Sequence, residues 1–357
     1  METMNKPFPW LELVEHPAFC VKNRTVIAAN TAAEHRMIRV NMDVNDFFTE
    51  NLDVYNNFKE GSLYLTVTIG ETPYDTRITR TLEYDIFVIR QKHDDKQLRA
   101  LALAAQQLRI PLANVMTVTD RLLTALDTTD SVVQEQAGQI NRSLFQLLRI
   151  ISNMSDTDAY QNALPFSMHT IDFVAVFDEI VEKAKALTDN KRIAFHYTRP
   201  DSPVFGLANT EKLERAIYNL LSNAFKFAKE NTSVDAKLVK TGNFLSFSIC
   251  NTSSKPAEDT AFWTQYSREP AIEDNRNGLG LGMSLVCSVA AAHNGTVLVD
   301  HPTPEQTRVT MTVAITNDAA GTVRSPITHI GDYAGGRDKG LLELADILPS
   351  DSYEKIN

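Results

Sequence analysis

The first third of the chain alternates apolar and polar residues in short runs. Within residues 62–91, the runs SLYLTVTIG, DTRITRTL and YDIFVIRQ show the period of two that is typical of antiparallel strands. Two shorter runs, AFCVKN and TVIAAN, lie around a turn nearer the N-terminus. Together they predict a small α+β domain over about residues 8–91, with one face of its sheet buried. The segment contains no metal cluster, nucleophile pair or phosphate loop.

The pattern then changes to a helical period. Apolar residues recur at steps of four and three on both sides of the polar turn DTTDS, and this predicts a hairpin of two long helices over residues 92–165. They are Leu101, Ala105, Leu108, Leu112 and Val115, followed by Val133, Ala137, Ile140, Leu144, Leu147, Ile151 and Met154. A hairpin cannot bury both stripes alone, so we expect two copies to form a four-helix bundle. The alternative is a monomeric hairpin packed against the neighbouring domains.

Pro111 interrupts the first of these helices. Proline in a helix interior costs roughly 3 kcal/mol, because it removes a backbone hydrogen bond and its ring crowds the preceding turn. The turn before it carries a polar pair, Gln106 and Gln107, where the pattern predicts a paired helix surface. Some constraint other than helix propensity must therefore retain this proline.

A strongly amphipathic helix is predicted from TEKLERAIYNLLSNAFKFAKE. Asn219, Asn223 and Lys226 fall on one face of it, at spacings of four and three. An amide oxygen is a hard ligand suited to Mg²⁺, which keeps several waters and binds phosphate oxygens, so Asn223 with a nearby lysine suits a magnesium-nucleotide site. On this helix alone, a surface or capping role for the two asparagines is an equal alternative.

A glycine-rich stretch, NRNGLGLGMSLV, precedes a second apolar helix. Gly278, Gly280 and Gly282 allow backbone amides to approach an anion, and the helix N-terminus adds a partial positive charge. The stretch matches neither the phosphate loop of P-loop NTPases nor the dinucleotide fingerprint. It predicts a phosphate cradle, with a tight turn as the alternative.

Composition narrows the possible partners. The net charge is -10 and no run concentrates Lys and Arg, which argues against a nucleic-acid-binding surface. Cys20, Cys250 and Cys287 are too few and too scattered for a disulfide framework or a zinc site. No apolar stretch approaches the roughly 20 residues that a bilayer demands, and METMNKPFPW lacks a signal-peptide core. We therefore expect a cytoplasmic protein.

Two of these motifs resemble the ATP-binding domain of sensor histidine kinases, a member of the GHKL (Bergerat-fold) ATPase superfamily. NLLSNAFKFA is similar to the family's N box and NGLGLGMSLV to its G2 box. The resemblance implies an α/β sandwich over residues 168–316, with helices on one face of a mixed sheet, that binds Mg²⁺ and ATP. It implies that Asn223 is the magnesium ligand, that Asn219 supports the nucleotide site and that Lys226 lies near the phosphates. The lid over the phosphates would be closed by Gly278, Gly280 and Gly282.

Two further stretches belong to this resemblance. AFWTQY is similar to the F box, with Phe262 as its packing residue, and residues 267–277 would be the mobile lid. The G1 box normally reads Asp-x-Gly-x-Gly, and its Asp accepts the adenine amino group. Here FSICNTSSKP offers Asn251 and no glycine. A neutral amide forms a weaker hydrogen bond than a carboxylate, by about 1 kcal/mol, so ATP binding would be weakened.

The hairpin has the placement of the family's dimerisation and phosphoacceptor domain. There the pattern His-Glu-Leu-Arg-Thr-Pro-Leu becomes QQLRIPL in this chain. Gln106 replaces the acceptor histidine, Gln107 replaces the adjacent general base, and Ile110 replaces the residue that orients water for dephosphorylation. The resemblance therefore implies that autokinase and phosphatase activities are both lost. His93 is an alternative acceptor, but it lacks the following Arg and Pro, and a solvated linker is the preferred interpretation.

The flanking segments complete the domain plan. TVIAANTAAEHRM is similar to the start of a PAS-type sensor domain, which would occupy residues 8–91. His293 lies at the end of the helix after the glycines, where a structural cation is expected. Residues 317–357 lie outside the resemblance and end in an amphipathic run with Leu341, Leu342, Leu344 and Ile347, which we expect to dock on its own chain rather than on a partner.

These observations predict a homodimeric, sensor-histidine-kinase-like protein of a two-component system that lacks autophosphorylation and binds Mg-ATP weakly. Its expected partners are a response regulator or an active histidine kinase. The alternative is an active ATP-dependent protein histidine kinase that acts in trans or on another residue. A GHKL kinase of the anti-sigma type acting on Ser is a third option, against which the long hairpin and the kinked LRIPL speak.

Overall fold

The computed structural model describes residues 8–14, 16–48, 51–89, 95–125, 131–161, 168–189, 192–253, 281–316, 334 and 336–354. The N-terminal part folds as an α+β unit, as its alternating pattern predicts. Its elements are β1 (Ala18–Lys22), β2 (Thr25–Ala29), α1 (Thr31–Glu34), α2 (Leu52–Asn57), β3 (Gly61–Ile69), β4 (Thr72–Arg80) and β5 (Asp85–Ile89). The strands form an antiparallel sheet in the order β2-β1-β5-β4-β3.

Both faces of β1 and β5 are buried, so the expectation of a single buried face is wrong for these strands. One face packs on an aromatic cluster that includes Phe19, Phe47 and Phe87. The opposite face is covered by the short 3-10 helix Pro9–Leu13, whose Leu11 is buried against it. The alternating pattern could not show this, because the covering segment is remote in sequence from β5.

Asn30, the asparagine of the TVIAAN motif, ties this unit together. Its side-chain oxygen caps α1 by accepting from the Ala33 amide at 2.9 Å, and it also accepts from the Ala18 amide at 3.0 Å. Its amide nitrogen donates to three carbonyl oxygens of the preceding segment, those of Leu11, Val14 and His16. The side chain is 1% exposed, so these bonds satisfy a polar group that would be costly to bury unpaired.

Two long helices follow, α3 (Asp95–Ala125) and α4 (Ser131–Gln161). They pack against each other in the hairpin that the apolar pattern predicts. Helix α3 continues through Pro111. In the described part of the chain, no helix is both long enough and apolar enough to cross a membrane. The predicted stripe divides in two: Ala105, Leu112 and Leu144 are buried within the chain, whereas Leu108 and Leu147 are about half exposed.

The C-terminal part is an α/β sandwich built on a mixed sheet. Its elements are β6 (His169–Asp172), α5 (Phe173–Thr188), β7 (Ala194–Thr198), β8 (Phe205–Ala208), α6 (Thr210–Phe227), β9 (Ser233–Thr241), β10 (Phe244–Thr252), α7 (Leu281–Ala292), β11 (Val297–Asp300), β12 (Gln306–Ala314) and α8 (Lys339–Glu343). Strand β7 is parallel to β9, whereas β9, β10, β12 and β11 pair antiparallel. Alternate residues of β9 and β10 are buried, and contacts such as Phe177 with Phe247 join the sheet to the helices.

The two sheets are continuous, which the sequence did not indicate. Strand β3 pairs antiparallel with β11, so that Tyr64 lies opposite Val297 and the combined sheet has ten strands. Gly61 begins β3 with φ of +95°, and a Cβ there would lie 2.2 Å from the carbonyl oxygen of Val299. Only glycine permits this approach of the two backbones.

Candidate nucleotide site and acceptor turn

Helix α6 is anchored at its start by a neutral histidine. The Asn209 side chain caps the helix by accepting from the Lys212 amide at 3.0 Å, and the Asn209 amide donates to Nε2 of His293 at 3.1 Å. The other ring nitrogen of His293 lies 2.7 Å from the carbonyl oxygen of Val289, as a donor. Burial lowers the pKa of His293. The expected cation is therefore wrong: a ring that must accept from Asn209 is neutral, although its role is structural.

Asn219 and Gly282, one residue from each of the two resembling motifs, are in contact. Asn219 is 2% exposed, and its amide nitrogen donates to the Arg215 carbonyl oxygen at 2.9 Å. A Cβ on Gly282, at the start of α7, would lie 2.6 Å from Oδ1 of Asn219. The fold thus brings the asparagine helix and the glycine stretch together, and glycine is needed for that approach.

Asn223 lies one turn further along the same face of α6. It is half-buried, and among the described residues its side-chain amide makes no hydrogen bond. Lys226 follows on this face, with only 11% of its side chain exposed. Its Nζ lies 4.0 Å from a carboxylate oxygen of Asp346, so the C-terminal segment reaches the end of this helix.

Asn251 lies where β10 meets the end of α6. The Lys229 amide donates to the Thr252 carbonyl oxygen at 2.8 Å, and Ala228 bridges Ser253, which joins the two ends. Asn251 is 7% exposed, and within the described residues its amide nitrogen has no hydrogen-bond partner. An asparagine side chain can donate to one ring nitrogen of adenine and accept from the adenine amino group. A buried, unsatisfied amide at this position fits an adenine base.

Several predicted residues lie outside the described part of the chain. They are Gly278, Gly280, Phe262, residues 267–277 and His93.

Residues 106–112 of α3, which align with the family's acceptor pattern, are called the acceptor turn. The side chains that depart from that pattern are exposed. Gln106 and Gln107 are exposed, and Ile110 is 69% exposed. Arg109 points the other way: its Nη2 donates to Oγ of Ser152 on α4 at 3.2 Å. Burial lowers the pKa of Arg109, and the positive charge of Arg215 on α6 lowers it further. Arg109 and Arg215 therefore both reach the same part of α4, through Ser152 and Asn153.

Sequence reasoning missed a buried charge cluster next to this site. Arg215 is 1% exposed, and its Nε lies 3.2 Å from Oε1 of Glu343, which is fully buried. Its Nη2 donates to Oδ1 of Asn153 on α4 at 2.7 Å. A signal was present in each partner, because Arg215 stands among buried apolar positions of α6 and Glu343 interrupts an apolar run.

Residues 208–317 match the model of the histidine kinase-, DNA gyrase B- and HSP90-like ATPase family. This segment is a GHKL-type ATPase domain. The chain is also similar to curated sensor kinases. It is 27% identical to hybrid signal transduction histidine kinase D of Dictyostelium discoideum over 62% of this chain and 15% of that protein. It is 23% identical to the adaptive-response sensory kinase SasA of Prochlorococcus marinus over 66% of each chain. The chain thus spans less than two thirds of the length of these relatives.

Solved structures include similar proteins. The histidine kinase ThkA, in complex with the response regulator protein TrrA, matches 85% of this chain and 96% of its own, with 14% identity and a TM-score of 0.43. Full-length ShkA in complex with AMPPNP matches 62% of this chain and 46% of its own, with 21% identity and a TM-score of 0.49. The family match over residues 208–317 and the sensor-kinase relatives support a sensor histidine kinase with a GHKL ATPase domain.

Proposed function

We propose that this chain is a signalling protein of the sensor histidine kinase type that binds Mg-ATP and does not phosphorylate itself at the acceptor turn. The observation that carries the nucleotide half of this proposal is the contact between Asn219 and Gly282. It places the asparagine face of α6 beside the start of α7, where backbone amides and the helix dipole favour phosphate.

Each residue of the site would bind a different part of the nucleotide. Asn223 would offer its amide oxygen to Mg²⁺, and Lys226 would neutralise phosphate charge. Asn251 would hold the adenine edge through its unsatisfied amide. Gly278 and Gly280 would extend the phosphate cradle that Gly282 begins. A magnesium ion held by Asn223 would neutralise charge on the phosphates, and Lys226 and the amides at the start of α7 would orient them.

The acceptor turn argues against self-phosphorylation. Phosphoryl transfer needs a nucleophile with an available lone pair, and the nitrogen lone pair of the Gln106 amide is delocalised into its carbonyl. Gln107 has no carboxylate to act as general base, and Ile110 cannot orient a water. All three side chains are exposed in the described part of the chain.

The remaining parts of the proposal concern assembly and signalling. The half-exposed apolar residues of the hairpin, with Leu108 and Leu147 among them, would pair with a second copy of the chain in a four-helix bundle. Residues 8–91 would form a PAS-like sensor domain, residues 92–165 the dimerising hairpin and residues 168–316 the ATP-binding domain. A response regulator or an active histidine kinase would be the signalling partner.

Thermal unfolding with and without Mg-ATP tests the nucleotide half. Ligand at 100 times its dissociation constant stabilises a folded protein by about 2.7 kcal/mol, so we expect the wild type to shift upward. Asn223→Ala should lose most of the shift, and Asn57→Ala, which removes an exposed amide from α2, should keep it. A wild type that does not shift would contradict nucleotide binding.

Incubation with γ-labelled ATP tests the acceptor half. We expect no acid-labile label on the wild-type chain, because Gln106 cannot accept a phosphoryl group. The intact nucleotide face keeps one alternative open, a kinase that acts on another residue or in trans. Stoichiometric labelling of the chain, or of an added partner, would favour that alternative over the proposal.

A further inference from the structure

The C-terminal segment, residues 334 and 336–354, lies across both the hairpin and the ATPase domain. It contacts α4 of the hairpin and α5 and α6 of the ATPase domain. Five of its side chains are fully buried in the core that these helices share; they are Leu342, Leu344, Ala345, Leu348 and Tyr353. The segment is thus part of the interior where the two units meet.

Two carboxylates of the segment neutralise arginines from different units. Glu343 lies 3.2 Å from Arg215 of α6 and 3.5 Å from Arg149 of α4. Asp346 lies 2.7 Å from Nη1 of the same Arg149. Arg149 and Arg215 are 6% and 1% exposed with the segment in place, so each buried arginine has a carboxylate of the segment as its counter-charge. The segment therefore carries charges that pair with both the hairpin and the ATPase domain.

Side chains of α4 also bind the backbone of the segment. Arg142 and Gln146 both donate to the Ala345 carbonyl oxygen, at 3.4 and 3.2 Å, and Asn141 donates to the Tyr353 carbonyl oxygen at 3.1 Å. A Cβ on Gly138 would lie 2.5 Å from the Ser350 carbonyl oxygen. The segment is therefore seated at one position on α4 rather than held by apolar contact alone.

Ion pairs at the start of the segment reach three helices. Arg337 pairs with Asp120 of α3 at 2.6 Å, Asp338 with Lys183 of α5 at 2.8 Å, and Lys339 with Glu214 of α6 at 2.5 Å. Helix α3 belongs to the hairpin, whereas α5 and α6 belong to the ATPase domain, so these ion pairs span the junction between the two units. A movement of one unit against the other must break some of these contacts.

We infer that the C-terminal segment is an intrachain clasp that holds the ATPase domain against α4, and that its release permits the two units to move relative to each other. Asp346 also lies 4.0 Å from Lys226, so release separates this carboxylate from the proposed phosphate-binding lysine. The clasp itself does not depend on nucleotide binding, and it remains testable if the proposed function is wrong.

Hydrogen exchange of the full-length chain tests whether these contacts hold the segment. We expect Glu343→Gln and Gly138→Leu each to raise amide exchange in residues 339–353 at least tenfold. Asp351→Asn, which removes an exposed carboxylate from the same segment, and Gln139→Leu, which enlarges an exposed neighbour of Gly138, should leave exchange unchanged. Amide exchange in β9 and β10 shows whether each variant is folded. If Gly138→Leu does not fold, the nearly isosteric Glu343→Gln alone tests the inference.

Single-molecule energy transfer tests whether the segment restrains the two units. Fluorophores are attached through non-canonical amino acids at positions 135 of α4 and 237 of β9, both exposed, and the labelled chain is diluted into excess unlabelled chain. We expect one narrow distance distribution in the wild type and a broader or second distribution in both clasp variants. Unchanged exchange in the variants overturns the inference, and so does raised exchange with an unchanged distance distribution.

Discussion

Helices α3 and α6 carry the acceptor-like and nucleotide-site motifs, and the two helices differ in how far the polar side chains of these motifs are buried. On α6, polar side chains are buried and partnered or face the start of α7, as Asn219 does with Gly282. On α3, the substituted Gln106 and Gln107 are exposed. Burial constrains which residues α6 tolerates, whereas the acceptor turn can lose its reactive groups with little effect on folding. An exposed turn that carries Gln106 and a buried, partnered polar face on α6 are therefore physically compatible in one chain.

The largest expected effect is on α6. Arg215→Ala leaves Glu343 buried with one arginine fewer and removes the bond to Asn153, so we expect a loss of about 3–5 kcal/mol in the free energy of unfolding. Guanidinium denaturation followed by circular dichroism measures it. Arg121→Ala on α3 is the control, since this arginine is exposed, and it should change stability by under about 0.5 kcal/mol. Equal losses in both variants would remove the contrast between the helices.

A substitution on the exposed face of the hairpin should change the oligomeric state of the protein. Leu147→Glu places a charge on the exposed apolar face of α4, and full burial of a leucine stabilises by about 1.5–3 kcal/mol. We therefore expect the variant to be monomeric at concentrations where the wild type is dimeric, as measured by light scattering coupled to size exclusion. Thr241→Glu, at an exposed strand end, should stay dimeric. A wild type that is monomeric throughout would favour a monomeric hairpin packed against the neighbouring domains instead.

The free energy of unfolding should depend on pH through His293, which binds the start of α6. Its folded-state pKa lies below the usual 6.5, so the unfolded chain binds the proton more tightly and stability falls as the pH drops below 6.5. His293→Leu leaves the Asn209 amide without its acceptor and should cost about 1–3 kcal/mol at pH 8. The same variant should lose part of the acid sensitivity, whereas His196→Gln, at an exposed position of β7, should retain it. Identical pH profiles for wild type and His293→Leu would contradict the neutral buried ring.

Asn251→Asp restores the carboxylate of the G1 pattern. A charge-assisted hydrogen bond to the adenine amino group should tighten Mg-ATP binding by about 1 kcal/mol, or roughly fivefold, measured by calorimetric titration. Asn243→Asp, in the turn at the opposite end of β10, adds the same charge at an exposed position and should leave the affinity unchanged. Weaker binding by Asn251→Asp would show that the lost donation from the Asn251 amide nitrogen to the adenine ring outweighs the charge-assisted bond.

The smallest effect is expected at the acceptor turn. Gln106→Ala removes an exposed side chain and should alter the free energy of unfolding by under about 0.5 kcal/mol, without changing the Mg-ATP thermal shift. Thermal unfolding with and without nucleotide measures both quantities. A large loss of stability would mean that Gln106 has a structural role that the exposed turn does not show.

Much of the architecture could be predicted because it depends on local periodicity. The hairpin follows from steps of four and three, and α6 follows from its amphipathic pattern, since both place side chains by position along one helix. The common face of Asn219, Asn223 and Lys226 was predictable for the same reason. Whether those residues bind magnesium and nucleotide remains a prediction.

Other features depend on contacts between distant parts of the chain. The expected cation at His293 was wrong because the ring meets Asn209, which lies 84 residues away in sequence. The covered second face of β5 was missed because its cover comes from Pro9–Leu13. The docking of the C-terminal segment on its own chain was expected, but its pairing with Arg149 and Arg215 was not.

The sequence by itself determined the order of elements, the helical hairpin and the polar face of α6, since each is encoded in side-chain spacing along a single element. Contacts between distant residues decided that β3 continues into β11, that part of the hairpin stripe stays exposed, and that Glu343 lies between Arg149 and Arg215. Those outcomes depend on which surfaces meet after folding, and residues far apart in sequence meet only then. Where they meet in a buried interior, an unpaired charge is costly, so the pairing partner matters.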